Sequence, residues 1–596
     1  MFQTITRAIR PLVKPSHWRN PVLASQTALY STFHPREFQF EKSDGEAGTL
    51  IHRFSRHIAL NKRDFTDPTQ YNLQYSSFYP IYNPKHFLKE LKSVTTHDLG
   101  KLICLTADFR GKADVRLLTD VLNSLDEEAE SRVPEATFNE LLGLLHGFMY
   151  LLPNKITKLQ TYRLAMPRLV ELFSSNPNEK DFMSLLFFIG LWKKNAAGSR
   201  MMDQFLAEHL SRFLTDQLEL FDFVMLANAS YKTSVRIQDE SFRNRLQQEI
   251  ERFDDKGDMA LLVTLVKCAR MNRLKSDAIV ERIRTLIQSC PKDLDFRGLS
   301  HLFAYVADNH IKDDDLTELF LAEGSKRMEE TILNPPSDPL AQNCRAKDVA
   351  TYLWSCATLG IDIQRLSLDP KDLLEDIHRR IDAEEYRFMP DTLVDTCLSL
   401  WMIGHPSVDL LASVFGDRLS AQHFKRGQPK VESRKDLLLA CAEIERPEAF
   451  KIISKLPMPN AFELARECPE YLVKSRDGLL QVKACLDEAK NRLKIAEVRF
   501  NVPIKFLNIA GLLVKLENGE QITVEVLDEP YLLTDGQTIS GFMKLKLRLL
   551  EQMQVKSITL NLTNNTTQEE MVKVVESALQ NLTPVEKPKR RGRKSG

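Results

Sequence analysis

The chain has 596 residues, of which 27% are Asp, Glu, Lys or Arg, and its 81 basic side chains balance 81 acidic ones. That length exceeds one hydrophobic core and predicts roughly two to four folded units, while the zero formal charge excludes a global field towards nucleic acid or membrane, so any basic surface is local. The cysteines are scattered, with Cys344 and Cys356 the closest pair, and no Cys-x-x-Cys spacing occurs; this excludes a disulfide scaffold, and neither a metal nor a cofactor is implied.

From Met1 to Arg36 there is no Asp or Glu, while Arg7, Arg10, Lys14, Arg19 and Arg36 are basic. Phe2, Ile5, Ile9 and Val13 share one side of a helix over Met1–Val13. An acid-poor, Arg-bearing amphipathic start predicts an organelle transit peptide over 1–36, mitochondrial ahead of plastid, with cleavage near Ala28–Ser31. Residues 37–86 carry no regular pattern. The longest apolar stretch, Leu141–Leu152, contains His146 and is too short to span a bilayer.

Residues 87–476 are helix-periodic, and similar apolar segments recur. They begin at Asp98, Phe138, Asp181, Asp222, Asp258, Asp295, Asp348, Thr392 and Asp436, with successive starts 36 to 53 residues apart. A helix pair repeated at that period is the signature of an α-solenoid. Each recurring run is apolar on nearly every face and must lie between neighbours, with its leading Asp placed to cap the free N–H groups. The helices between them, such as Asp277–Gln288, are amphipathic and predict a solvated outer layer. Trp354 and Trp401 occupy matching places in two of the runs and read as core residues. His301, inside an apolar run, reads as a satisfied core histidine, and no histidine forms a triad with Ser or Cys and a carboxylate.

Basic residues thicken between Gln422 and Lys505, interspersed with acids, which reads as a solvated face. A connecting helix is expected over Asp477–Val498, within 477–500. The domain that follows, 501–582, is unlike the rest. Apolar runs Leu512–Leu516 and Ile522–Leu527 flank Glu517-Asn518-Gly519-Glu520, and Asn-Gly predicts a hairpin with a type I′ turn. A helix over Gly541–Met553 and a strand over Ser557–Leu562 complete a β-β-α-β unit. The fold class is thus mainly α, an array of helical hairpins followed by a small α/β module.

That module resembles the RAP domain, found in apicomplexan proteins and in the Fas-activated serine/threonine kinase-like mitochondrial proteins. Glu525, Asp528 and Pro530 match the family's acidic strand end, and Thr538 its loop. Lys546, Arg548, Leu549, Leu550 and Glu551 match its helix, and Val555-Lys556 its last strand. Glu529 stands where the family has Gly, and the aromatic cluster that usually ends the domain is absent. Helical repeats ahead of a C-terminal RAP domain, behind a transit peptide, are the family's usual layout. The resemblance implies a restriction-endonuclease-like fold and a matrix protein that binds mitochondrial rRNA or mRNA in processing, stability or translation. The alternative is a structural or assembly component of the mitochondrial ribosome, with ribosomal proteins as partners. A metal-dependent RNA endonuclease is a third reading, but Glu525-Val526-Leu527 puts Leu where a Glu-x-Lys motif needs Lys, so no catalytic residue is assigned. The candidate RNA contacts in the module are Glu525, Asp528, Lys544, Lys546, Arg548 and Lys556. The tail 583–596 adds Lys589, Arg590, Arg591 and Arg593, a basic arm expected to order on contact with RNA.

Overall fold

The computed structural model describes residues 47–59 and most of 89–577; residues 1–46, 60–88 and 578–596, and short internal stretches such as 107–114, 336–343, 417–428, 451–459 and 562–566, lie outside the described residues. The expected transit peptide and the basic tail with Lys589, Arg590, Arg591 and Arg593 fall there. The chain divides into two compact units, Met1–Ile237 and Gln238–Gly596.

The first unit is all helix among the described residues: α1 (Ala47–His57), α2 (Thr96–Thr106), α3 (Val115–Arg132), α4 (Phe138–Leu151), α5 (Gln160–Ser175), α6 (Glu179–Gly190), α7 (Ala196–Phe213) and α8 (Leu220–Thr233). The apolar runs beginning at Asp98, Phe138, Asp181 and Asp222 fall in α2, α4, α6 and α8. Helix α2 packs on α4, and α6 on α8, while α3 packs on α5 in a second layer. The layers are tied by buried hydroxyls as well as by apolar contact: Tyr162 in α5 donates to the Phe188 carbonyl of α6 at 2.6 Å.

The second unit continues the alternation through α9 (Glu240–Glu251), α10 (Met259–Met271), α11 (Asp277–Ser289), α12 (Phe296–Asp308), α13 (Asp314–Leu333), α14 (Ala346–Leu359), α15 (Pro370–Asp382), α16 (Pro390–Met402), α17 (Val408–Phe415) and α18 (Pro429–Glu445). The even-numbered helices stack in sequence as an inner layer, α10 to α12 to α14 to α16 to α18, and α9, α11, α13 and α15 stack as the outer one. This two-layer alternation is the architecture the recurring runs predict. In α15, Arg380 is 1% exposed and is held by Asp376 at 2.6 Å, Glu385 at 3.1 Å and the Cys344 carbonyl at 2.9 Å. A guanidinium with each side occupied in this way fixes α15 against the start of α14.

The leading aspartates divide by position. Asp258 and Asp295 cap α10 and α12, accepting from the Ala260 and Gly298 N–H groups. Asn178 and Thr137 cap α6 and α4, the latter in a reciprocal capping box with Glu140. Asp222 and Asp348 are instead buried inside their helices, where they pair with His57 at 2.9 Å and Arg345 at 2.7 Å. These two, with Asp98, Asp181 and Asp436, which also lie inside their helices, are corrections to the expected caps: each stands a turn or more past the position from which a side chain caps.

After α18 come α19 (Asp477–Glu488) and α20 (Lys490–Leu493), then β1 (Ile495–Asn501), β2 (Gly511–Leu516), β3 (Gln521–Leu527), α21 (Gly541–Gln552) and β4 (Ser557–Asn561). The expected helix Asp477–Val498 therefore ends early. Lys494 takes a left-handed conformation (φ 53°) and the chain turns into a strand. The sheet order is β1-β2-β3-β4, antiparallel except for β3 and β4, which run parallel with α21 as their crossover. The β2–β3 turn differs from the expected type I′. Gly519 has a positive φ of 86° and donates to the Leu516 carbonyl at 2.9 Å, while Asn518 is not among the positive-φ residues. Its side chain accepts from Glu520 N at 3.0 Å instead. This is a type I turn closed by a left-handed glycine.

One sheet face (Leu512, Val514, Ile522, Val524, Val526, Ile558 and Leu560) forms a core with Leu479, Val482, Cys485 and Leu486 of α19. Alternation along β3 sends Glu525 to the other face, where Lys546 of α21 meets it. The connecting helix is thus part of the module it was expected to lead into.

Candidate nucleic-acid interface

Three features of the second unit bear on a ligand: the internal polar groups of the module, the contact between α21 and the inner layer, and the uncovered side of that layer. The Lys546 ammonium donates to Glu525 Oε2, and both side chains are sealed, 1% and 0% exposed. Burial lowers the Lys546 pKa, and the Glu525 charge and hydrogen bond oppose that shift. Asp528 receives a two-pronged contact from Arg476 at 2.8 and 2.9 Å. Arg476 also donates to the Ala510 and Val526 carbonyls at 2.6 and 2.7 Å and lies over the Tyr531 ring at 4.5 Å. It therefore joins the chain ahead of α19 to the ends of β2 and β3. Glu525, Asp528 and Lys546 hold the module together from inside, and this corrects the expectation that they present themselves to RNA. Arg476, counted with the solvated basic residues from its sequence context, is 2% exposed.

The second feature is the seat of α21. Lys544 donates to the Gly360 carbonyl at 2.7 Å. Arg548 donates to Glu445 at 2.7 Å, to the Trp401 carbonyl at 2.8 Å and to the Met402 carbonyl at 3.2 Å. Thr534, in the loop before α21, accepts from Lys312 N at 2.9 Å and donates its own N–H to the His310 carbonyl at 2.8 Å. Gly360, Trp401-Met402, Glu445 and His310 stand at the C-terminal ends of α14, α16, α18 and α12. A helix C-terminus carries unsatisfied carbonyls and a partial negative charge, so cations are favoured there. Lys544 and Arg548, expected as RNA contacts, are spent on those ends. Replacing Arg548 with Met leaves Glu445 with Trp401 Nε1 as its remaining donor here, and it is expected to cost about 1–2 kcal/mol, read as a lowered thermal midpoint. Lys556 sits elsewhere, paired with Glu520 and 47% exposed; it and Lys544 are the exposed candidates of the module.

The third feature was missed in sequence. On the inner layer's uncovered side, otherwise buried helices carry a narrow polar stripe: Lys267 and Arg270 on α10, Arg297 and His301 on α12, and Lys347, Thr351 and Trp354 on α14. All are half-buried except Lys267, which is 7% exposed. Lys267, Arg270, Arg297 and Lys347 all act on His301: burial first, then those four charges, hold its pKa well below the ordinary histidine value. Asp308 takes up part of this charge, lying 3.3 Å from Arg270. His301 Nδ1 is sealed and has no hydrogen-bond partner, so it is not a satisfied core histidine. The two tryptophans also part company. Trp401 is fully buried, whereas Trp354 is half-buried with Arg434 over its face at 3.8 Å and Phe542 edge-on at 5.7 Å. The sequence signal was present: polar or cationic residues three or four apart inside runs that are apolar elsewhere, such as Lys267 and Arg270 or Arg297 and His301, mark one face of the helix.

Some of the basic residues between Gln422 and Lys505 pair locally, as Lys474 does with Glu470 and Lys483 and Lys490 with Asp487, whereas Arg434 reaches back to Asp395 and is half-buried. The solvated-face reading holds for Lys474, Lys483 and Lys490. No helix among the described residues is long and apolar enough to cross a membrane. No protein-family model matches the chain, and no curated protein matches it.

Proposed function

We propose that this protein binds RNA in the mitochondrial matrix and acts in the processing, stability or translation of organellar RNA. The observation that carries the reading is the row of cations on the uncovered side of the inner helices, around His301. In a chain whose formal charges cancel, four cations gather around one imidazole with Asp295, Asp308 and Asp348 among them, and cations so placed favour a phosphate backbone as partner. The resemblance of the C-terminal module to the RAP domain supports the same reading, as does the acid-poor N-terminus for the compartment. The module's matched residues act in this reading through architecture: they fix the α/β unit across the ends of the inner helices and hold the array rigid for its ligand.

Binding of mitochondrial rRNA or mRNA measured at two or more salt concentrations tests this. Each phosphate contact to a single strand contributes roughly −0.7 to the slope of log affinity against log salt, so a few contacts give a slope of about −2 to −3. Absence of binding, or binding indifferent to salt, would overturn the reading. Co-sedimentation with ribosomal subunits after a high-salt wash separates a ribosome component from a free factor.

A further inference from the structure

We draw no further inference here: the strongest candidate, the cluster of His57, Glu219 and Asp222 where α1 meets the start of α8, carries none, because its imidazole and its buried carboxylate are already joined to each other and nothing else at that place points to an ion.

Discussion

Replacing Lys546 with methionine is expected to destabilise the α/β module by about 3–5 kcal/mol, because it leaves the Glu525 carboxylate buried and unpaired. The sizes follow from where the two groups lie. Lys546 and Glu525 are essentially without solvent contact, and Glu525 Oε1 has no hydrogen-bond donor. Nothing remains to hold the charge once the ammonium is gone, so the carboxyl must take up a proton or the module must open. The midpoint of the urea transition, followed by Trp354 fluorescence beside Phe542, reads the loss. The companion variant E525L/K546M removes both charges and is expected to recover most of it, since a buried pair exchanged for apolar groups of similar volume is often neutral or stabilising. If K546M matches the parent, the pair contributes nothing. If the double variant is no better than the single one, the defect lies in packing.

The second large effect is expected at Gly541, the first residue of α21. A β-carbon there would intrude on the Ala357 carbonyl oxygen and press on the Gly360 backbone N. Both obstacles are main chain of α14 and cannot rotate aside. G541A is therefore expected to cost about 3 kcal/mol or more, the upper end for overpacking, and to lift α21 from its seat. Lys544 and Arg548 would lose the carbonyls of α14 and α16 together. Limited proteolysis in the loop 532–540, which is held at Thr534 in the parent, should become fast. A variant that stays resistant and melts like the parent would show that α14 yields at this point.

The layers of the helical array were legible in sequence because a helix that is apolar all round has one place to go. Each of the nine apolar runs became an inner helix, and the amphipathic segments between them became the outer layer. Of the leading aspartates Asp258 and Asp295 cap, while Asp98, Asp181, Asp222, Asp348 and Asp436 lie inside their helices, since an Asp near a helix start reads alike whether it caps or pairs. Strand β1 escaped because Ile495-Ala496-Glu497-Val498 continues the helical pattern of α19, and a left-handed Lys494 carries no sequence mark. What sequence could not supply was the partner of each charge. Lys546 looks like a surface lysine until β3 places Glu525 beneath it, and Arg548 finds its acceptors more than a hundred residues upstream. The same blindness hid the meeting of Arg297 and His301 on α12 with Lys347 on α14, which come together only when the layer is stacked.

The order in which the chain leaves the ribosome sets a condition on its folding. The carbonyls of His310, Gly360 and Trp401, at the ends of α12, α14 and α16, wait for Thr534, Lys544 and Arg548, which are 224, 184 and 147 residues later in synthesis. Helices α9 to α18 can stack as they emerge, but their ends stay open until nearly the whole chain has been made. Long-range contacts of this kind slow folding and leave partly closed intermediates exposed to aggregation. A chain cut short before α21 would lack the sheet's crossover and the lid on four helix ends at once, so a late stop codon should act as a loss of the whole second unit. Chaperone binding to nascent chains truncated before and after residue 552 would show the point at which that exposure ends.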